Sequence, residues 1–91
     1  MYDYIIIGGS VAGVTAGVYS ARRGLKFKVI ASDLGGEVAT SGEIENWPGI
    51  KHTTGVELSG MFADHLRSYE PDILEGVKVS GITRGDDGTF T

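Results

Sequence analysis

The N-terminal third of the chain changes its hydrophobic period twice. Residues 4–7 form a continuous apolar run that ends at two glycines, a pattern typical of a parallel strand covered on both faces. Residues 11–23 place apolar side chains three and four positions apart, which predicts a helix with Ser10 as N-cap and Gly24 as left-handed stop. Residues 27–31 predict a second buried strand. Together the segments predict an α/β fold built on a right-handed, Rossmann-like βαβ unit with a parallel sheet.

The middle of the chain lacks a sustained period. Residues 32–53 contain glycines and Pro48 without a repeating apolar position, which predicts a long loop, and loops of this length inside compact domains are usually functional. A second helix is predicted over about residues 55–69, with Thr53 or Thr54 as its cap. The predicted core stripe of this helix consists of Leu58, Met61, Phe62 and Leu66.

The C-terminal part of the chain predicts short strands. Pro71 ends the second helix, and residues 72–74 form a candidate third strand. Residues 77–83 and 89–91 are typical of two hairpin arms joined by a turn at residues 85–88. Because so short a second arm is a weak end for a domain, we expect a truncated domain that stops at the start of a β-hairpin or meander.

Composition and charge exclude several classes of function. A net charge of −4 and a pI near 4.9 argue against nucleic-acid binding through a basic surface. No apolar run approaches the roughly 18 residues that span a bilayer, and the start at Met1 lacks the basic region of a signal peptide. We therefore expect a cytoplasmic protein without membrane association. The chain contains no cysteine, so it has no disulfide, thiolate metal site or redox-active Cys pair.

The turn after the first strand contains a candidate nucleotide site. It follows the dinucleotide fingerprint G-x-G-x-x-G at its first and last glycines, which make the tight turn and let the helix pack closely on the sheet. The helix N-terminus then offers free N–H groups and a positive dipole end to a pyrophosphate. The candidate residues are Gly8, Gly9, Ser10, Val11, Ala12 and Gly13.

Two positions depart from the fingerprint. Ser10 replaces the middle glycine, where the backbone approaches the pyrophosphate; either its Cβ crowds the phosphate or its hydroxyl donates a hydrogen bond to it. Ala31 stands where an acidic residue usually holds the ribose, and Asp33 follows two positions later. Asp33 or backbone groups are the candidate ribose ligands. The simpler interpretations are that Asp33 is a solvated loop residue and that the turn only connects strand and helix.

Two segments of the long loop have a more selective pattern. They are Gly35-Gly36-Glu37-Val38-Ala39-Thr40 and Glu43-Ile44-Glu45-Asn46-Trp47-Pro48-Gly49. They resemble the loop of low-molecular-weight thioredoxin reductases, in which Gly-Gly-Gln is followed, after several small polar residues, by Glu-Asn-aromatic-Pro-Gly. Residues 2–25 and the helix after the loop also resemble that family, so the resemblance covers the full chain.

This resemblance implies the glutathione-reductase-type FAD-binding fold, with FAD rather than NAD(P) at the first nucleotide site. It implies that Gly35, Gly36 and Glu37 pass near the ribityl and pyrophosphate portions of FAD. Thr40 and Asn46 would lie closer to the isoalloxazine, where amide and hydroxyl groups can hydrogen-bond the ring edge and tune its electronics. Glu37 stands where the family usually has glutamine, and its carboxylate would repel a pyrophosphate unless it turns away or pairs.

The remaining candidate side chains have simpler interpretations. Trp47 is expected to pack beside Pro48 rather than to stack on a flavin. His52 and His65 are isolated in the sequence, without acidic or cysteine partners at catalytic or metal-binding spacing. We therefore identify no catalytic and no metal-ligating residue and expect the site residues to be cofactor ligands.

By resemblance, the chain is the FAD-binding segment of an NAD(P)H-dependent flavoprotein oxidoreductase of the thioredoxin reductase class. Members pass electrons from NADPH through FAD and a Cys-x-x-Cys pair to a disulfide of a thioredoxin-like protein, and the full-length proteins are expected to be homodimers. NADPH would bind a domain absent from this chain, so residues 1–91 are expected to be a partial FAD-binding domain, inactive alone. Two alternatives stay open: a related flavoenzyme without the Cys pair (a ferredoxin–NADP reductase-like enzyme or a flavin oxidase) and a non-catalytic nucleotide-binding module.

Overall fold

The computed structural model folds the first third of the chain as the changes of period predict. The structure describes the whole chain apart from Glu37. Strand β1 spans Tyr4–Ile7, helix α1 spans Val11–Arg22 and strand β2 spans Phe27–Ala31. Gly24 has a φ of +70°, the left-handed conformation in which glycine commonly ends a helix. The predicted βαβ order is therefore confirmed.

The main sheet has three parallel strands in the order β1-β2-β5, where β5 spans Asp72–Glu75. Tyr4 lies opposite Phe27, and Lys28 lies opposite Asp72. The third strand was predicted one residue shorter than it is. Because all three strands run in the same direction, their carboxyl ends meet at one edge of the sheet, where ligands of open α/β sheets bind.

Helix α3 spans Gly55–Arg67 and packs against α1. Thr54, one of the two predicted caps, accepts a 3.2 Å hydrogen bond from the Glu57 N–H, which satisfies one of the free donors at the helix start. The helix ends two residues before the predicted boundary, with Ser68 as its C-cap. It is the longest described helix, and it falls short of the length and apolar content of a membrane-spanning segment.

The core lies between α1, α3 and one face of the sheet. Leu66 and Val29 are fully buried and Leu58 is nearly so, whereas Met61 is 53% exposed. The prediction of Met61 in the core stripe is wrong because five helical positions place it about 140° around the helix from Leu66.

Strand β1 is covered on one face only. Ile6 points into the core with 9% exposure, while Ile5 and Ile7 are 45% and 51% exposed. Side chains alternate between the two faces of a strand, and α1 and α3 cover a single face in the described part of the chain. The prediction that β1 is covered on both faces is therefore wrong for this structure.

The long middle segment contains three short elements that the sequence pattern did not predict. Helix α2 spans Gly36–Ala39, and strands β3 (Glu43–Ile44) and β4 (Thr53–Thr54) pair antiparallel. Elements of two to four residues are too short to establish a hydrophobic period. The loop is therefore more ordered than predicted.

The C-terminal hairpin forms as a turn without regular arms. Arg84 and Phe90 make an isolated bridge, and Gly85 N–H donates to the Thr89 carbonyl over 2.7 Å. The prediction of the turn is correct, but residues 77–83 and 89–91 are not strands. Ile82 and Phe90 are 64% and 65% exposed, and a two-stranded hairpin without an apolar surface to pack on is marginal in water.

Two exposed side chains have shifted pKa values, and both lie away from the glycine turn. The Asp87 carboxylate accepts hydrogen bonds from the hydroxyl and the N–H of Thr89, which lowers the pKa of Asp87. The Tyr2 hydroxyl donates to the Asp72 carboxylate, which raises the pKa of Tyr2. These contacts stabilise the hairpin turn and join the N-terminus to β5.

Candidate functional site

The turn from β1 into α1 needs glycine at its first and last fingerprint positions. Gly8 has a φ of +115°, and its N–H donates to the Ile30 carbonyl over 2.9 Å, which continues the pairing of β1 with β2. A Cβ added at Gly13 would lie 2.0 Å from the Gly8 carbonyl oxygen. The close packing of the helix on the strand end therefore requires a residue without a side chain at position 13.

Gly9 brings the end of β2 against the turn. A Cβ at Gly9 would lie 2.5 Å from the Asp33 carbonyl oxygen and 2.8 Å from the Ala31 Cβ. Ala31 is buried and Asp33 is exposed. The structure therefore brings both of these predicted site residues next to the glycine turn, with the Asp33 backbone in contact with it.

The N-terminus of α1 is suited to an anion. The first helical hydrogen bond runs from Val14 N–H to the Ser10 carbonyl over 2.9 Å, so the N–H groups of Val11, Ala12 and Gly13 precede the helical ladder. The first turn of α1 carries no acidic side chain, and the positive end of the helix dipole lies there. These features fit a phosphate group at the helix end.

The two glycine motifs meet at this helix end. The Ser10 hydroxyl donates to the Gly35 carbonyl over 3.1 Å, although the two residues lie 25 positions apart. Gly35 N–H donates to the Gly9 carbonyl over 2.7 Å, and a Cβ at Gly36 would lie 2.7 Å from the Ser10 Cβ. Ser10 holds the N-cap position, but its hydroxyl does not cap the helix, so the predicted capping bond is wrong.

Helix α3 contributes a surface that the sequence interpretation missed. A Cβ at Gly35 would lie 2.8 Å from the Ser59 Cβ, and a Cβ at Gly55 would lie 2.2 Å from the Val38 carbonyl oxygen. Gly55, Ser59 and Ala63 are buried and spaced by four, so they share one face of the helix. This spacing of small residues was the available sequence signal, and it lets α2 and the loop before it approach α3.

The other predicted site residues lie elsewhere in the middle segment. Thr40 is exposed at the end of α2, and Asn46 is exposed on the loop after β3, where residues 45–51 form a shallow depression. Glu37 lies outside the described residues. The structure thus brings Gly8 to Gly13, Ala31, Asp33, Gly35 and Gly36 together, and it assigns no ligand to any of them.

Trp47 has a packing role in this structure. Its ring lies 5.1 Å from the Phe62 ring with an interplanar angle of 55°, a tilted arrangement typical of aromatic packing. Together with Phe62 it lines the groove between α1 and α3. The contact partner is on α3, whereas the sequence interpretation expected Pro48.

A parallel strand, a glycine turn and a helix whose first turn lacks acidic side chains define the class of α/β dinucleotide-binding folds. Within this class the chain is similar to thioredoxin reductases. The T. acidophilum enzyme is 38% identical with a TM-score of 0.88, and the match covers 98% of this chain and 29% of that one. The Lactococcus lactis enzyme is 36% identical with a TM-score of 0.88, covering 96% of this chain and 29% of that one.

Curated relatives give a second name from the same comparison. Alkyl hydroperoxide reductase F of Staphylococcus epidermidis is 38% identical over 85 residues, which is 93% of this chain and 17% of that protein. The Staphylococcus aureus protein of the same name is 37% identical over 86 residues, also 17% of its length. No protein-family model matches the chain.

These matches confirm the fold class and the resemblance predicted from the sequence. The homologues are thioredoxin reductases and alkyl hydroperoxide reductase F proteins, and the parallel three-stranded sheet with its helices matches the thioredoxin reductase fold. The chain spans about a sixth of the length of the curated relatives. The activity and partners of a whole protein are therefore matters for proposal.

Proposed function

We propose that residues 1–91 are the FAD-binding segment of an NAD(P)H-dependent flavoprotein oxidoreductase. The observation that carries the proposal is the meeting of the two glycine motifs at the N-terminus of α1, where Gly35 N–H donates to the Gly9 carbonyl. One motif alone is typical of any dinucleotide site. Its contact with the second motif, in a chain whose homologues are flavoprotein reductases, favours FAD.

Several groups of this chain would hold FAD. The N–H groups of Val11, Ala12 and Gly13 would bind the pyrophosphate, and Asp33 or its backbone would hold the ribose. The Gly35–Gly36 segment would follow the pyrophosphate and ribityl portions, and Glu37, Thr40 and Asn46 remain proposed ligands. When bound, FAD supplies the hydride and electron chemistry, and the protein orients it and tunes its potential.

For the whole protein we propose a thioredoxin reductase-like activity, in which electrons pass from NADPH through FAD to a disulfide of a thioredoxin-like protein. Its location would be cytoplasmic and its assembly a homodimer. A second candidate is the reductase component of an alkyl hydroperoxide reductase, because the curated relatives carry that name. Assays of NADPH oxidation with oxidised thioredoxin or with a hydroperoxide and its peroxidase component separate the two candidates.

Flavin binding tests the cofactor proposal directly. We expect the protein encoded by the complete reading frame to purify with one FAD per chain, and the isolated 91-residue chain to bind FAD weakly or not at all because one sheet face is bare. The measurement is equilibrium dialysis with absorbance of the bound flavin. A flavin-free protein from the complete frame that ignores added FAD would refute the proposal. Tight one-to-one binding by the isolated chain would refute the expectation for the segment.

Substitution of Ser10 by glycine is expected to change FAD affinity by no more than a few-fold. The hydroxyl makes one part-buried hydrogen bond to Gly35, and such a bond contributes about 0.5–1.5 kcal/mol. Ser10→Ala, which removes the hydroxyl and keeps Cβ, is the matched variant. Loss of the flavin from both variants would show that the hydroxyl is essential. A large gain with glycine alone would show that Cβ crowds the cofactor.

A further inference from the structure

The β3–β4 hairpin presents three metal-ligating side chains on one face. Glu43 lies opposite Thr54 in the antiparallel pair, and Ile44 lies opposite Thr53. Continuing this register by one position brings Glu45 opposite His52. Residues two apart on a strand and residues directly opposite across a pair share a face. The backbone therefore directs Glu43, Glu45 and His52 to the same side.

The distances between the donor atoms suit a shared cation. One carboxylate oxygen from each glutamate and one imidazole nitrogen of His52 all lie within 4.8 Å of one another. The His52 Nε2 to Glu43 Oε1 distance is 3.6 Å. In a tetrahedral zinc site with bonds of about 2.1 Å, neighbouring donor atoms are about 3.4 Å apart. One edge of such a site is thus already formed, and exposed side chains can close the other two by small rotations.

The charges at this hairpin also favour a cation. Two carboxylates approach each other here, and like charges at this separation repel. Among the residues that the structure describes, the ion pairs join His52 to Glu43 and Arg67 to Glu75, so neither hairpin glutamate pairs with a lysine or arginine. His52 balances the pair only when it is protonated, whereas a divalent ion would neutralise both carboxylates and use the neutral imidazole.

We propose that Glu43, Glu45 and His52 form a binding site for a divalent transition-metal ion, with Zn²⁺ as the best match. One imidazole and two carboxylates are accepted ligands of Zn²⁺, and three protein ligands leave a fourth position for water. Imidazole nitrogen disfavours Mg²⁺ and Ca²⁺, which take oxygen ligands. The isolation of His52 inferred from the sequence is therefore wrong, because strand pairing brings it to Glu43.

Such an ion would fix both ends of the loop between β3 and β4. That loop carries Asn46 and Trp47, and Trp47 packs on Phe62 of α3. A metal bridging Glu45 and His52 would hold the loop closed at its base and leave the glycine turn untouched. The site is thus independent of the proposed flavin site, and either proposal can fail alone.

Zinc titration of the purified, tag-free chain tests the proposal, with calorimetry for stoichiometry and NMR of the histidine rings for location. The chain has two histidines and no cysteine, so the location is unambiguous. We expect one Zn²⁺ per chain, a shift of the His52 ring signals and unchanged His65 signals. Mg²⁺ in large excess should not displace the ion, because it gains little from an imidazole ligand.

Three variants separate a three-ligand site from weaker alternatives. His52→Gln and Glu45→Gln are each expected to weaken Zn²⁺ binding at least tenfold, and His65→Gln should leave it within twofold. All three side chains are exposed, so circular dichroism spectra should match the parent. Equal zinc responses at His52 and His65, or retained affinity in either hairpin variant, would overturn the proposal. Unchanged histidine spectra would leave His52 and Glu43 as an ion pair only.

Discussion

Substitution of Gly13 by alanine is expected to lower the free energy of unfolding by about 2 kcal/mol or more and to abolish tight FAD binding. The new Cβ would lie 2.0 Å from the oxygen and 2.8 Å from the carbon of the Gly8 carbonyl. Both are backbone atoms, so no side-chain rotation can relieve the overlap and α1 must move away from β1. Overpacking typically costs 1–3 kcal/mol, and displacement of the helix N-terminus would also move the N–H groups proposed to bind phosphate.

Gly60 supplies the matched control, because it is also a glycine inside a helix. A Cβ at Gly60 would meet nothing within 4 Å, so Gly60→Ala should stabilise the protein by up to about 1 kcal/mol through helix propensity. Urea unfolding followed by circular dichroism gives both free energies, and flavin retention is measured in the protein from the complete reading frame. Equal stability of the two alanine variants would contradict the steric account of Gly13.

The βαβ unit could be predicted because its signals are local. The apolar run of β1, the three-and-four spacing in α1 and the stop at Gly24 each depend on neighbours within one or two turns. The role of Gly13 was equally accessible, because a glycine at this distance from a strand end indicates close helix–strand packing. These elements formed where they were predicted.

The contacts within the candidate site could not be predicted in the same way. The hydrogen bond from Ser10 to Gly35 joins residues 25 positions apart, and no periodicity specifies which loop returns to a helix end. The neighbourhood of His52 and Glu43 depends on the register of two strands of two residues each. Strands this short carry no alternating pattern, so the pair was hidden until the hairpin was seen.

The apolar pattern also misled where the surrounding surface decides burial. Continuous apolar residues in β1 predicted coverage on both faces, yet Ile5 and Ile7 are half exposed. Likewise, the residues of the last hairpin have strand propensity, but Phe90 has no apolar surface to cover it among the described residues. A sequence pattern reports which face can be buried, and whether it is buried depends on what packs there.

Substitution of Leu66 by alanine is expected to have the second large effect, a loss of about 2–5 kcal/mol in the free energy of unfolding. Leu66 has 0% exposure and belongs to the core cluster with Val14, Phe27 and Val29. A Cβ at Gly17 would lie 2.6 Å from Leu66 Cδ1, so this leucine fills the gap where α1 and α3 approach. Truncation would leave a cavity at the junction of both helices and the sheet.

Met61→Ala is the control for this prediction, since Met61 lies on the same helix and is 53% exposed. Its substitution should change the free energy of unfolding by less than about 1 kcal/mol, because truncation at a surface position leaves no cavity. A domain of this size has a total stability of roughly 5–14 kcal/mol, so Leu66→Ala would remove a large part of it. Because α3 also supports Gly35 through Ser59, flavin retention should fall in Leu66→Ala and persist in Met61→Ala. Similar denaturation midpoints for the two variants would show that α3 does not hold the core together in this way.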